Sequence, residues 1–231
     1  MFYFDPLYFV FALPALLLAF YAQFKVKNAY ARYTQVANSR GLTGLDAARI
    51  ILGPEGLHDV TIKGVPGELT DHYDPRDKSL GLSAGVARQP SVASLAIVAH
   101  EIGHALQDHT AYAPLKLRGA IVPAVQVSAW VAPLLFFIGL ALNATSLAWL
   151  GVILFALGAV FALVTLPVEF DASRRGLRLL QTYHLADGRE LQGAKSVLDA
   201  AALTYVAALA QTLATLLYYV TLLTGFGRRR D

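Results

Sequence analysis

The sequence predicts a mainly α membrane protein, with about four transmembrane helices and a small α+β domain. Two observations carry that prediction. Only 15% of the 231 residues are charged while 56% are hydrophobic, and the mean hydropathy is +0.50. A soluble domain of this size needs more charge to keep its surface wetted. The charges are also gathered into blocks: no Asp, Glu, Lys or Arg falls within residues 6–24, 119–168 or 200–227. A helix of about 20 apolar residues crosses a bilayer, so the first and third runs make one span each and the middle run makes two with a short turn. As buried helices of a soluble core, these runs would need a much larger protein around them.

The elements follow in chain order. Residues 1–24 read as a transmembrane anchor, helical over 7–24 with a kink at Pro14. The run has no basic n-region and leads into Lys25 and Lys27, so it reads as retained rather than as a cleaved signal. Residues 25–118 hold most of the charge and form the small α+β domain. Thr43 is placed to cap a short amphipathic helix, and residues 60–62, 69–73 and 80–83 read as strands, the last two joined by the Asp74-Pro75-Arg76-Asp77 turn. Ser91 caps a helix running to about Asp108. Residues 119–168 hold two transmembrane helices that turn at Asn143-Ala144-Thr145-Ser146. Residues 169–199 form a helical segment interrupted at 183–189, and residues 200–231 a fourth membrane helix with an Arg228-Arg229-Arg230 tail.

The chain has no cysteine, which excludes a disulfide framework and a thiolate metal site, so any metal must be held by His and carboxylates. The net charge of +3 and a pI near 9.1 would suit nucleic acid. In a membrane protein, though, excess Lys and Arg collects at the cytoplasmic helix ends. The lipid bilayer, not nucleic acid, is therefore the expected partner.

One motif carries chemistry. In His100-Glu101-Ile102-Gly103-His104, the two histidines sit four apart on a helix, hence on one face, and can bind one ion together. Glu101, one position after the first ligand, reaches a water on that ion without taking a coordination position. Zinc would bring the water's pKa toward ~7, and Glu101 would accept its proton and pass it to a leaving amine. The pattern alone arises by chance on helices, and a pair of hydrogen-bonded core histidines is the plainer alternative. The apolar residues 93–99 just before it argue for a buried helix, where two histidines and a glutamate need partners. Gly103 lets another backbone approach closely.

Two histidines and a water leave one protein ligand to find. His109 lies on a different helical face, and the metzincin spacing would need a histidine where Thr110 stands. A Glu from a later helix is the other zincin solution. Glu169, the first charge after the long uncharged run, fits it, with Pro167 suited to a helix's first turn. Alternatively, Glu169 and Asp171 are simply acidic residues favoured near a helix N-terminus. Asp171 is two positions on, nearly on the opposite face, so the two do not share an ion.

Taken together, these residues resemble the YugP-like membrane zinc metallopeptidases of bacteria. The resemblance runs through Asp71-His72-Tyr73-Asp74-Pro75-Arg76, residues 98–107, Tyr112-Ala113-Pro114-Leu115, residues 169–175 and Leu203-Thr204-Tyr205-Val206-Ala207. It implies a membrane-bound, zinc-dependent endopeptidase with a zincin-like domain, one zinc ion, and a peptide or protein substrate that it does not identify. The HtpX-like and CAAX prenyl proteases are more distantly similar, and place an Asp four positions after their Glu ligand. Here that position is Ser173, left to accept a weaker hydrogen bond from a ligand histidine. Tyr205 is a candidate donor to the oxyanion, an interfacial aromatic being the plainer reading. Residues 80–83 are a candidate edge strand for pairing with an extended substrate, an ordinary strand of a small sheet being the default reading. A zinc-binding membrane protein without turnover and a membrane scaffold are the rival functions.

His100 and Glu169 can meet only if both polar segments share one side. Those segments hold all but the three tail arginines of the 19 Lys and Arg. The positive-inside rule therefore places the site on the cytoplasmic side, with the Asn143 turn outside.

Overall fold

The computed structural model describes residues 6–227, so the Arg228–Arg230 tail lies outside the described residues. Seven helices and three strands follow in the order α1 (Pro6–Thr34), α2 (Gly44–Leu52), β1 (Thr61–Val65), β2 (His72–Asp74), β3 (Ser79–Ser83), α3 (Ala84–Arg88), α4 (Val92–His109), α5 (Ala113–Ala141), α6 (Thr145–Thr182) and α7 (Gly188–Gly227). The protein is mainly α. Its helices α1, α5, α6 and α7 are long and apolar enough to cross a membrane, and a small α+β part accompanies them.

Those four helices are apolar outside as well as in. At most 22% of the most apolar 18-residue window of any of them is buried, and Trp130 on α5 is 85% exposed. In water such faces would carry a heavy hydrophobic penalty; lipid removes it.

The chain sorts into two compact units. One comprises Leu117–Leu166 with α1 up to Ala22 and α7 from Thr204. Its α5–α6 hairpin is drawn tight by small residues: a Cβ on Gly139 would stand 2.4 Å from the Ala148 nitrogen, and one on Gly151 2.6 Å from the Phe136 nitrogen. Phe136, fully buried, stacks on Tyr219 with ring centroids 4.1 Å apart. The other unit comprises Gln23–Lys116 and Pro167–Leu203. Ile51, Leu80, Leu82, Leu95, Ile102 and Leu180 centre its core. Thr43 and Asp46 close a reciprocal capping box on α2, an arrangement worth ~1 kcal/mol.

Two sequence expectations are corrected here. Residues 80–83 form a strand of a small sheet, as the default reading has it, but not the candidate edge strand. The sheet order is β1-β3-β2, with β3 parallel to β1 and antiparallel to β2, so β3 lies in the middle and is buried throughout. Long-range pairing with β1 covers an edge that the local β2–β3 hairpin would have left open. The second concerns Pro167, which sits inside the unbroken α6 rather than in a first turn. There it removes one backbone hydrogen bond that the helix continues without. Pro14 likewise lies inside the continuous helix α1.

Candidate metal centre

Helix α4 is built to be buried. Ser91 caps it, its Oγ accepting the Ser94 N–H at 3.1 Å, and Leu95, Val98, Ala99 and Ile102 turn into the core. His100 and His104, one turn apart, share a face, with ring centroids 4.7 Å apart and planes at 85°.

Two glycines bring α6 within reach of that face. A Cβ on Gly103 would stand 2.4 Å from the Ala172 carbonyl oxygen on α6, and one on Gly176 would stand 2.8 Å from the Ala99 carbonyl oxygen on α4. Each helix lacks a side chain where the other's backbone presses closest. This reciprocal crossing carries Glu169 to the histidines. Its Oε2 lies 3.4 Å from His100 Nε2 and 3.6 Å from His104 Nε2, with the carboxylate side chain only 2% exposed. One ligand atom from each of the three residues lies within 4.8 Å of the others.

These separations exceed the roughly 2.7–3.2 Å of N–H···O hydrogen bonds. The two carboxylate–histidine distances match the edge of a tetrahedron around zinc, since bonds of about 2.0–2.2 Å set ligand atoms roughly 3.3–3.6 Å apart.

The hydrogen-bond network points the same way. Gln107, fully buried, donates from Nε2 to the Val168 carbonyl at 2.8 Å and to Asp171 Oδ2 at 3.0 Å. Both acceptors lie on α6, and they fix which end of the amide is nitrogen. Gln107 Oε1 therefore faces His104 Nδ1 at 3.0 Å and must receive its proton. The neutral His104 ring then turns an Nε2 lone pair toward the Glu169 carboxylate. Two electron-rich atoms so placed need a cation between them, either a proton or a metal ion. Burial alone would lower the His104 pKa, but Glu169 and Glu101 beside it more than offset that and raise it. The pocket is built to hold positive charge, and its two-histidine, one-carboxylate donor set fits zinc.

Glu101 stands beside this cluster but outside it. Its Oε2 accepts the Tyr73 N–H of β2 at 3.0 Å, while the Tyr73 hydroxyl donates to Asp108 Oδ2 at 2.9 Å. Strand β2 is thus pinned to α4 at two points. Burial pushes the Glu101 carboxyl up from its ordinary range. His100 and His104 pull it down, and Glu169 and Asp71 add to the upward push. A carboxyl moved toward neutral suits a group that must both accept and release a proton.

The structure brings His100, His104 and Glu169 together, with Glu101 next to them and Ser173 Oγ 3.1 Å from His100 Nδ1. Asp171 points away from the cluster to Gln107 and to Arg175, whose Nε donates to it at 2.6 Å. Tyr205 is half-buried on α7, in the unit that does not hold the cluster, and His109 ends α4 outside the cluster. Sequence reasoning passed over Gln107, the Tyr73–Asp108 clasp and Gly176. Only Gln107 left a signal, a polar residue three positions after His104 on a largely apolar helix.

Residues 8–224 match the model of a family described as "Putative neutral zinc metallopeptidase". The chain is 45% identical over 206 residues to "Putative membrane protease YugP" of Bacillus subtilis (strain 168), covering 89% of this chain and 92% of that protein. No solved structure matches.

Proposed function

Since the chain belongs to that family of neutral zinc metallopeptidases, we propose that it is an endopeptidase in which His100, His104 and Glu169 hold zinc and Glu101 is the general base. It is a multi-pass membrane protein and a zinc enzyme; the assignment of roles is our reading. The observation that carries it is the convergence of His100 Nε2 and His104 Nε2 on the buried Glu169 Oε2, at 3.4 and 3.6 Å, with a buried carboxylate beside it that is not one of the three ligands. A structural zinc site closes with four protein ligands. Among the described residues only three converge here, and the adjacent Glu101 is what catalysis needs.

Zinc, when bound, supplies Lewis acidity that polarises a peptide carbonyl and makes water acidic near neutral pH. Glu101 takes the proton from the attacking water and delivers it to the leaving amine. The Tyr73 N–H holds the carboxylate in place between those two transfers. Strand β2 lies at the sheet edge and turns that N–H toward Glu101, which supports an extended substrate running alongside it. Gln107 and Ser173 orient the two ligand rings from their Nδ1 sides.

Zinc titration tests the ligand set. Wild-type protein should bind about one ion per chain, and His104→Ala should bind none. Gln107→Leu should weaken binding by about 10–100-fold, because it frees the His104 ring to turn. The raised His104 pKa means that protons compete with zinc, so affinity should fall as pH drops toward the His range. Full zinc binding by His104→Ala would remove that residue from the set.

The distribution of Lys and Arg supports a cytoplasmic site. The chain has no cysteine, so a single Asn143→Cys would report sidedness in intact cells. An impermeant maleimide should label it from outside, and labelling only after lysis would reverse the orientation.

A further inference from the structure

Resting on the peptidase reading above, we propose that the substrates are membrane-anchored polypeptides, cut in the stretch that leaves the bilayer beside a transmembrane span.

Two observations lead there. The first is the depth of the ligand set. Glu169 is the first charged residue after the uncharged run and follows Leu166 by three positions on one helix. At 1.5 Å per residue, that is about 4–5 Å past Leu166 and about 1.5 Å past Val168, the last uncharged position, so it stands within about 5 Å of the hydrocarbon edge. The headgroup layer on each side is roughly 5–8 Å deep, so this ligand lies within it.

The second is the depth of the strand beside the site. Tyr30 follows Phe24, the last residue of the first uncharged run, by six positions on α1, about 9 Å past the edge. Its hydroxyl lies 3.5 Å from where a Gly85 Cβ would be, two residues past the end of β3, and the loop that leads into β2 is held to the same strand end. The Asp71 carboxylate accepts the Ser83 N–H at 2.7 Å and the Ser83 hydroxyl at 3.1 Å, fixing this loop to the end of β3. The next two residues open β2 and reach Glu101. Tyr30, and with it the end of β3 to which the loop into β2 is tied, thus stands about 9 Å past the edge, at the outer margin of the headgroup layer.

A peptide bond reaching this site must lie in or beside the headgroup layer. A soluble chain has to be drawn down from water. A segment next to a span is already there, at an effective concentration of about millimolar.

The test uses the full-length, zinc-loaded protein in nanodiscs of neutral lipid, with two probes. One is a span of about 20 Leu and Ala residues followed by an unstructured tail of mixed sequence; the other is the same tail alone. Cleavage rates and cut positions are read by mass spectrometry, with Glu101→Gln run in parallel. The anchored probe should show a kcat/KM at least about tenfold higher, with cuts within about 10 residues of the span, the extended length needed to leave the bilayer and fill a cleft. Equal cleavage of the free tail, or cuts only far out along the anchored tail, would overturn this inference and leave the peptidase reading standing. If neither probe is cut by the wild type, or if Glu101→Gln cuts them equally, both readings fall.

Discussion

Glu101→Gln is expected to retain its zinc and lose cleavage by about a thousandfold, the usual weight of a general acid–base group and ~4 kcal/mol of barrier. Glutamine has the same shape, and its Oε1 can still accept the Tyr73 N–H that Glu101 accepts at 3.0 Å. Strand β2 should therefore stay pinned to α4, and the fold should survive. The amide cannot take a proton from water, so only the chemistry is removed. Because Glu101 is not one of the three converging ligand residues, the metal content should be unchanged. Loss of zinc together with activity would show that Glu101 is needed to build the site, and undiminished cleavage would place the base elsewhere.

Gly103→Ala is expected to destabilise the protein by about 2 kcal/mol and to weaken zinc binding. Alanine is favoured over glycine inside a helix by ~1 kcal/mol, so helix propensity alone gives the opposite sign. Packing decides it. The new methyl would stand 2.4 Å from the Ala172 carbonyl oxygen, and a backbone atom cannot rotate away. Forcing atoms into a packed core costs about 1–3 kcal/mol, and a contact this short belongs at the upper end or beyond. Relief comes only by moving α4 and α6 apart, which separates the histidines from Glu169, whereas metal ligands tolerate about 0.2 Å. Gly176→Ala should act the same way through its 2.8 Å approach to Ala99. The double variant should lose less than the sum, since either change opens the same gap. Gly53→Ala, with nothing within 4 Å, is the control and should change neither thermal stability nor zinc affinity. A Gly103→Ala protein that binds zinc as tightly as wild type would show that the crossing does not set the ligand distances.

Much of this site is legible in the chain because its signals are local. The spacing of His100 and His104 is a property of one helix, and the i, i+4 geometry holds wherever that helix packs. The four apolar runs announce themselves by length and by the absence of charge, since a bilayer tolerates few charged side chains whatever the fold. Glu169 stood out as the first charge after such a run. Ser173 was reached only through the resemblance to the HtpX-like and CAAX prenyl proteases, which place an Asp four positions after their Glu ligand.

What the sequence could not decide was what meets across long separations. Gly176 looks like any glycine until Ala99 is seen against it. Gln107 becomes informative only when α6 supplies the two acceptors that orient its amide and, through it, the His104 ring. Residues 80–83 read as a strand of a small sheet, but whether they lie at its edge depends on the parallel partner β1, which arrives from earlier in the chain. The uncharged runs and the metal-site motif were thus determined by composition and helical period, which act within a few turns. The convergence of His100, His104 and Glu169 was decided by the tertiary structure alone, because a crossing of two backbones depends on which residues lack a side chain on both sides at once.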